Sequence, residues 1–139
     1  MQARGGELID ALTSNGLVAE RDGRPIGLVC WRIDPGEAGP TAEITCLLVA
    51  PGERGAGVAR ALLDGAAPAL LERRVRRVWV VTTNDNLAAL ALYQKAGYRL
   101  TALRPGAVAA ARRTLKPGIA DVGEHGIPLR DELELQLEL

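Results

Sequence analysis

Apolar and polar positions along the chain change period several times, and each change marks an element. Leu17 to Arg21 suits a strand and is followed by DGRP, whose Asp-Gly pair and Pro are turn formers. Ile26 to Ile33, rich in Val, Ile, Leu and Trp, reads as the second arm of a hairpin. DPGEAGP breaks the pattern, and Ala42 to Val49 is the next strand, closed by Pro51 and Gly52. From Gly57 the period becomes helical. Val58, Ala61, Leu62, Ala66, Ala69 and Leu70 recur three and four residues apart, the spacing of a helix packed on a sheet. Pro68 lies inside that run, removes an amide donor and crowds the preceding turn, which predicts a kink or an early change of direction. Arg73, Arg74, Arg76 and Arg77 near its end read as a solvated terminus that complements the helix dipole.

Val78 to Thr82 is a short β-branched strand of the kind covered on both faces. After TTNDN, Leu87 to Lys95 is helical with Gly97 placed as its C-terminal cap, and Tyr98 to Leu103 reads as a strand close behind. PGAVAAARRTL permits a helical turn or two, and KPGIADVGEHGIP reads as a long loop. Leu133 to Leu139 alternates with period two, a half-buried strand with its glutamates outward. The opening residues are weakly patterned, GELIDALTSN suiting a short helix or an irregular lead-in. The order hairpin, strand, helix, strand, helix, strand, loop, strand predicts one α/β domain over residues 1–139 with a mixed sheet.

Composition narrows the function classes. A chain of 139 residues with 47% apolar positions fits one globular domain. With 17 basic against 17 acidic side chains, a nucleic-acid surface or a polybasic membrane anchor is disfavoured, since both need concentrated positive charge. No apolar run approaches the roughly 20 residues that cross a bilayer, and MQARGGELID lacks a secretory signal, so a cytoplasmic location is expected. Cys30 and Cys46 sit in apolar segments without companions at metal-ligand spacing; they read as buried thiols, with a disulfide or a reactive site as alternatives. His125 is the single histidine, so no metal site is expected.

The sharpest chemical feature is AEITCLLVAPGERGAGVARALLDGA, where a strand enters a loop with Gly52, Gly55 and Gly57 and a helix follows at once. Backbone amides can there converge on an anion such as a pyrophosphate, with Arg54 adding charge, although a tight turn into a helix also favours glycine. The segment lacks Gly-Lys-Ser/Thr and the GxGxxG dinucleotide fingerprint, which excludes two common phosphate loops. The second feature is VWVVTTNDNLAALALYQKAGYRL. Among Asn84, Asp85 and Asn86, one can cap the helix while another offers an amide to a ligand. Tyr93 falls two turns later, where its ring packs in the core or its hydroxyl reaches a cleft.

Together these segments resemble the GNAT superfamily of acyl-coenzyme-A-dependent N-acetyltransferases. The family's phosphate signature, Gln or Arg, two residues, Gly, one residue, Gly or Ala, falls on Arg54, Gly57 and Ala59. Asn86, Ala89, Tyr93, Gly97 and Tyr98 match its other common block, and the KP…GIP.RDE.ELE tail is similar to that of an uncharacterised subgroup. The resemblance, good from Leu17 to Leu103, implies a mixed, mostly antiparallel central sheet flanked by helices. It further implies pantetheine contacts from the backbone of Cys46, Leu47, Leu48 and Val49. The pyrophosphate would sit on the amides of Gly55, Ala56, Gly57, Val58 and Ala59, with Arg54, Asn84, Asn86 and Tyr93 completing the acetyl-coenzyme A site. A first strand and one or two helices ordinarily precede the position of Leu17 in the family, which points to a shortened or incomplete N-terminus and an edge covered by self-association as a homodimer.

The implied reaction is direct attack of a primary amine, from a small molecule or a peptide, on the thioester in a ternary complex. Tyr93 is then the general acid by the family's use of this tyrosine, and Glu43 the candidate base, directly or through water. A backbone amide near Leu47 or Leu48 would polarise the thioester. An acetyl-cysteine route through Cys46 is disfavoured because a buried thiol without a neighbouring base is a poor nucleophile. The rival readings are a coenzyme-binding regulatory module without turnover, and an unrelated domain that binds some other anion.

Overall fold

A computed structural model describes residues 15–108 and 121–139. The lead-in up to residue 14 and most of PGAVAAARRTL lie outside the described residues. Six strands hydrogen-bond in the order β1-β2-β3-β4-β6-β5, a mixed, mostly antiparallel sheet. The chain divides into two compact units, Met1–Trp79 with Glu138–Leu139, and Val80–Leu137.

In the first unit, β1 (Gly16–Arg21) and β2 (Arg24–Asp34) form a hairpin with Arg21 paired to Arg24. Its two loop residues, Asp22 (φ 54°) and Gly23 (φ 77°), are both left-handed, the conformation whose twist suits a two-residue hairpin. β3 (Thr41–Val49) runs antiparallel to β2, and a short parallel ladder joins Thr41–Glu43 to Arg77–Trp79 at the start of β4 (Arg77–Thr83). α1 (Val58–Glu72) lies on β1, β2 and β3 and buries Val58, Leu62, Leu63, Ala66 and Leu70. Opposite them are Val29, Trp31, Ala42 and Ile44, all buried.

Pro68 lies inside this helix, which continues past it to Glu72. Pro68 is exposed, so the carbonyl whose partner it removes faces solvent, while the buried stripe at Ala66 and Leu70 continues unbroken.

The second unit holds the rest of β4, α2 (Leu87–Lys95), β5 (Arg99–Arg104) and β6 (Glu132–Glu138). β5 and β6 are antiparallel, and Arg104 bridges Glu132 at 3.3 Å and Glu134 at 3.2 Å across them. β4 buries Val80 and Thr82 while Val81 and Thr83 are half-buried, so coverage of both faces, expected from its apolar sequence, is realised fully on one face only. Of the expected loop, residues 116–120 lie outside the described residues, and 121–128 form a loop with local pairing. Val122 bridges Pro128, the Gly123 amide donates to the Ile127 carbonyl at 2.8 Å, and Glu124–Gly126 form one 3-10 turn.

Gly27 on β2 fixes where α1 begins. A Cβ there would stand 3.0 Å from the Leu48 carbonyl oxygen, 3.0 Å from Val58 Cγ1 and 3.1 Å from Leu62 Cδ1. One of the three is backbone and the others are core, so none moves without cost. Gly27→Ala is therefore expected to destabilise the fold by about 1–3 kcal/mol, the scale of overpacking, read as a lower urea midpoint with an unchanged slope. An unchanged midpoint would show that α1 has room to retreat.

Candidate functional site

The sequence-selected residues fall in both units, and each set is built differently. In the first unit β3 carries Glu43 near its start and Cys46, Leu47, Leu48 and Val49 at its end, where it enters a glycine turn. The turn is anchored at both ends. The Ala50 amide donates to the Ile26 carbonyl at 2.8 Å, and Arg21 Nε donates to Glu53 Oε1 at 3.2 Å. A 3-10 turn at Pro51–Glu53 leads through Arg54 and Ala56, both exposed, to the helix start.

Gly55 (φ 82°) and Gly57 (φ 81°) are both left-handed, a conformation that residues with a side chain rarely adopt. A Cβ at Gly52, Gly55 or Gly57 would meet no atom of the described residues within 4 Å. Gly55 and Gly57 are thus required by the backbone, not by crowding among the described residues. Gly57 is the N-cap of α1 and supplies no side-chain hydrogen bond. The first intrahelical bond runs from the Ala61 amide to the Gly57 carbonyl at 3.0 Å, so the amides of Val58, Ala59 and Arg60 precede the helix's own ladder. No acidic residue stands in the first turn to oppose an anion. The parallel ladder of β3 with β4 covers only Thr41–Glu43, which leaves the β4-side edge of β3 unused by that ladder from Ile44 to Val49.

Glu43 is tied by a short ion pair to Arg32, its cross-strand partner. Cys46 is half-buried opposite Cys30, and neither is in a disulfide. Among the described residues no group of three or more His, Cys, Asp or Glu side chains could hold a metal, and no helix is long and apolar enough to cross a membrane.

In the second unit the three consecutive polar residues after β4 each take a separate structural task. Asn84 Nδ2 donates to the Pro128 carbonyl at 2.8 Å, and its Oδ1 accepts from the Arg130 and Asp131 amides, both at 3.0 Å. The side chain expected to offer an amide to a ligand therefore binds the tail, because the chain returns past it at residues 128–131. Asn86 is the N-cap of α2, its Oδ1 accepting from the Ala89 amide at 3.1 Å. Asp85, the middle of the three, is 5% exposed. It accepts from Thr83 Oγ1 at 2.6 Å and from the Glu124 amide at 2.9 Å. Burial raises the pKa of this carboxyl, but the bonds from Thr83 and from the Glu124 and Asp85 amides, with the charge of His125, outweigh it and hold the group below the usual carboxylate value. His125 is itself an exposed, left-handed residue (φ 59°) of the tail turn.

Tyr93 lies on α2 and is buried, 5% exposed, with its ring centroid 5.4 Å from that of Tyr98. The Tyr98 amide donates to the Tyr93 carbonyl at 2.9 Å, closing the helix end around Gly97 (φ 98°). Burial, then the neighbouring Tyr93, pushes the Tyr98 hydroxyl well above its ordinary pKa.

A strand ending in a left-handed glycine turn at an uncapped helix, followed by a capped helix with a buried tyrosine, is the layout of a known class. Residues 4–98 match the Acetyltransferase (GNAT) family, and the chain belongs to it. Its curated relatives include the uncharacterised proteins YxbD and YdhI of Bacillus subtilis (strain 168). YxbD is 48% identical over 83 residues, covering 60% of this chain and 52% of the relative. YdhI is 40% identical over 111 residues, covering 80% of this chain and 65% of the relative. The chain thus spans between half and two thirds of these relatives. Among solved structures, a GNAT family acetyltransferase from Elizabethkingia anophelis with acetyl-CoA bound is 26% identical with a TM-score of 0.75, covering 96% of this chain and 82% of that one.

The lowered carboxyl of Asp85 stabilises the folded chain wherever it is ionised and the unfolded one is too. That contribution is present above the unfolded value of about 3.9 and is lost as pH falls through the lower folded value. Asp85→Asn is therefore expected to lower the thermal midpoint at pH 7, and the gap to wild type to narrow at pH 3. Equal gaps at both values would show that the charge of Asp85 contributes nothing to stability.

Proposed function

We propose that this chain transfers an acetyl group from acetyl-coenzyme A to a primary amine by direct attack in a ternary complex. The observation that carries the reading is the uncapped N-terminus of α1 behind the left-handed Gly55 and Gly57, in a chain of this family. There the pyrophosphate would accept from amides between Gly55 and Ala59, with Arg54 adding charge. The pantetheine arm would use the backbone of β3 from Cys46 to Val49, the edge beyond its ladder with β4.

The amine nitrogen attacks the thioester carbon, an amide near Leu47 or Leu48 stabilises the oxyanion, and the carbon–sulfur bond breaks. Tyr93 gives its proton to the leaving thiolate. Glu43 takes the proton of the amine, directly or through water. That role requires Arg32 to release the carboxylate, and because Arg32 is 71% exposed the release costs little, an exposed ion pair contributing about 0–1 kcal/mol. Asn86 enters through α2, whose start it caps, and Asn84 through the tail that it fastens.

Two experiments test the halves separately. Asn tolerates a left-handed φ, so Gly57→Asn should fold while its side chain stands over the amides. Acetyl-coenzyme A affinity by calorimetry is expected to fall roughly ten- to a hundredfold, the worth of one or two hydrogen bonds to a charged group. Undiminished affinity in the folded variant removes the pyrophosphate from this turn.

Tyr93→Phe keeps the ring packing against Tyr98 and deletes only the hydroxyl. With a panel of primary amines under saturating acetyl-coenzyme A, single-turnover transfer is expected to slow by about 10² to 10⁴, the usual range for a positioned acid. Cofactor affinity should stay within about twofold, since that contact is not made in the ground state. Equal rates for the two proteins take Tyr93 off the reaction path.

A further inference from the structure

The two cysteines of the chain are Cα partners, Cys30 on β2 facing Cys46 on β3. Directly opposed residues of antiparallel strands share a face with Cα atoms about 4.5–5.5 Å apart, inside the roughly 4.4–6.8 Å that a disulfide spans. Both are thiols in this structure. Their exposure is unequal: Cys30 is 7% exposed, whereas Cys46 is half-buried. Such a pair has one sulfur within reach of a small oxidant and a second shielded beside it, the arrangement in which a first oxidised sulfur is resolved by its neighbour.

We infer that Cys30 and Cys46 are a reversible two-electron redox site across the β2–β3 ladder, oxidised by a peroxide. The Cys46 sulfur, half-buried and not enclosed as the sequence reading had it, attacks the peroxide, whose oxygen–oxygen bond breaks, giving a sulfenic acid and an alcohol or water. The Cys30 sulfur then attacks the Cys46 sulfur, a sulfur–sulfur bond forms and water leaves with the oxygen. The two thiol protons end in the water and the alcohol, and the peroxide is the species reduced. A low-molecular-weight thiol reverses the bond by exchange.

The bond would draw the two Cβ atoms to about 3.8 Å, tightening β3 at the irregularity between Cys30 and Trp31 in its pairing with β2. Resting on the proposed function, which gives Cys46 to Val49 to the pantetheine arm, oxidation is expected to weaken acetyl-coenzyme A binding several-fold.

The test uses the whole folded chain. After hydrogen peroxide, quenching, unfolding and alkylation with N-ethylmaleimide, intact mass should show the loss of two hydrogens and no maleimide. Dithiothreitol should restore two reactive thiols, and a non-reducing gel should show a monomeric chain. With only two cysteines present, the mass alone identifies the pair. Cys30→Ser should stop at a sulfenic acid trapped by dimedone, and Cys46→Ser should leave Cys30 alkylatable. Two maleimides after peroxide, or a bridge only between chains, overturns the site. Full affinity in the oxidised chain overturns its coupling to the cofactor. If the reduced chain fails to bind acetyl-coenzyme A, the proposed function falls and the thiol result still decides this inference.

Discussion

The absence of a side chain at Gly27 is the constraint on which the glycine turn depends. That position meets the Leu48 carbonyl near the end of β3 and the side chains of Val58 and Leu62 in the first turns of α1. Both ends of the segment from Ala50 to Gly57 are therefore set by one close approach. The turn need not be held along its length; Ala50 is bound back to β2, Glu53 to Arg21, and the two left-handed glycines supply the remaining change of direction. A loop fixed in this way holds its backbone with few side chains to shield it, which is what the proposed anion site requires.

The two helix starts show how the chain separates binding from architecture. α1 begins at a glycine without a side-chain cap, while α2 begins at Asn86, whose carbonyl oxygen occupies the Ala89 amide. The same division runs through Asn84 and Asp85, whose polar atoms hold backbone from Glu124 to Asp131. A carboxylate as buried as Asp85 is stable only because it is met by donors on several sides. Of three adjacent polar residues, Asn84 and Asp85 thus fasten the tail to the end of β4, and Asn86 caps α2.

What was legible in the sequence and what was not follows from the range of the interactions. The strands and both helices could be read because period two and period 3.6 are local properties, and the ends of α2 because Asn86 and Gly97 act within one turn of themselves. The turn into α1 was legible from its glycines, two of which are left-handed. The role of Gly27 was not, since a glycine inside a strand signals a close approach without naming what approaches. The tail contacts of Asn84 and Asp85 were not legible for the same reason: their partners lie roughly 40 residues away along the chain, and spacing carries no trace of them.

The irregularity in β3 decides which chemistry shares a face. Cys46 pairs with Cys30 and Ile44 with Trp31, so Thr45 is an extra residue without a partner on β2. In an unbroken strand Glu43 and Cys46, three residues apart, would point to opposite faces. One inserted residue reverses the phase. Ala42, Ile44 and Leu47 then fall with Val29 and Trp31 on the side of α1, and Glu43 and Cys46 fall together with Arg32 and Cys30 on the other. The burial agrees, with Ala42 and Ile44 buried and Glu43 and Cys46 only half so. The carboxylate proposed as base and the dithiol inferred as a redox site are therefore neighbours on one face through Thr45, a residue whose own side chain takes part in neither.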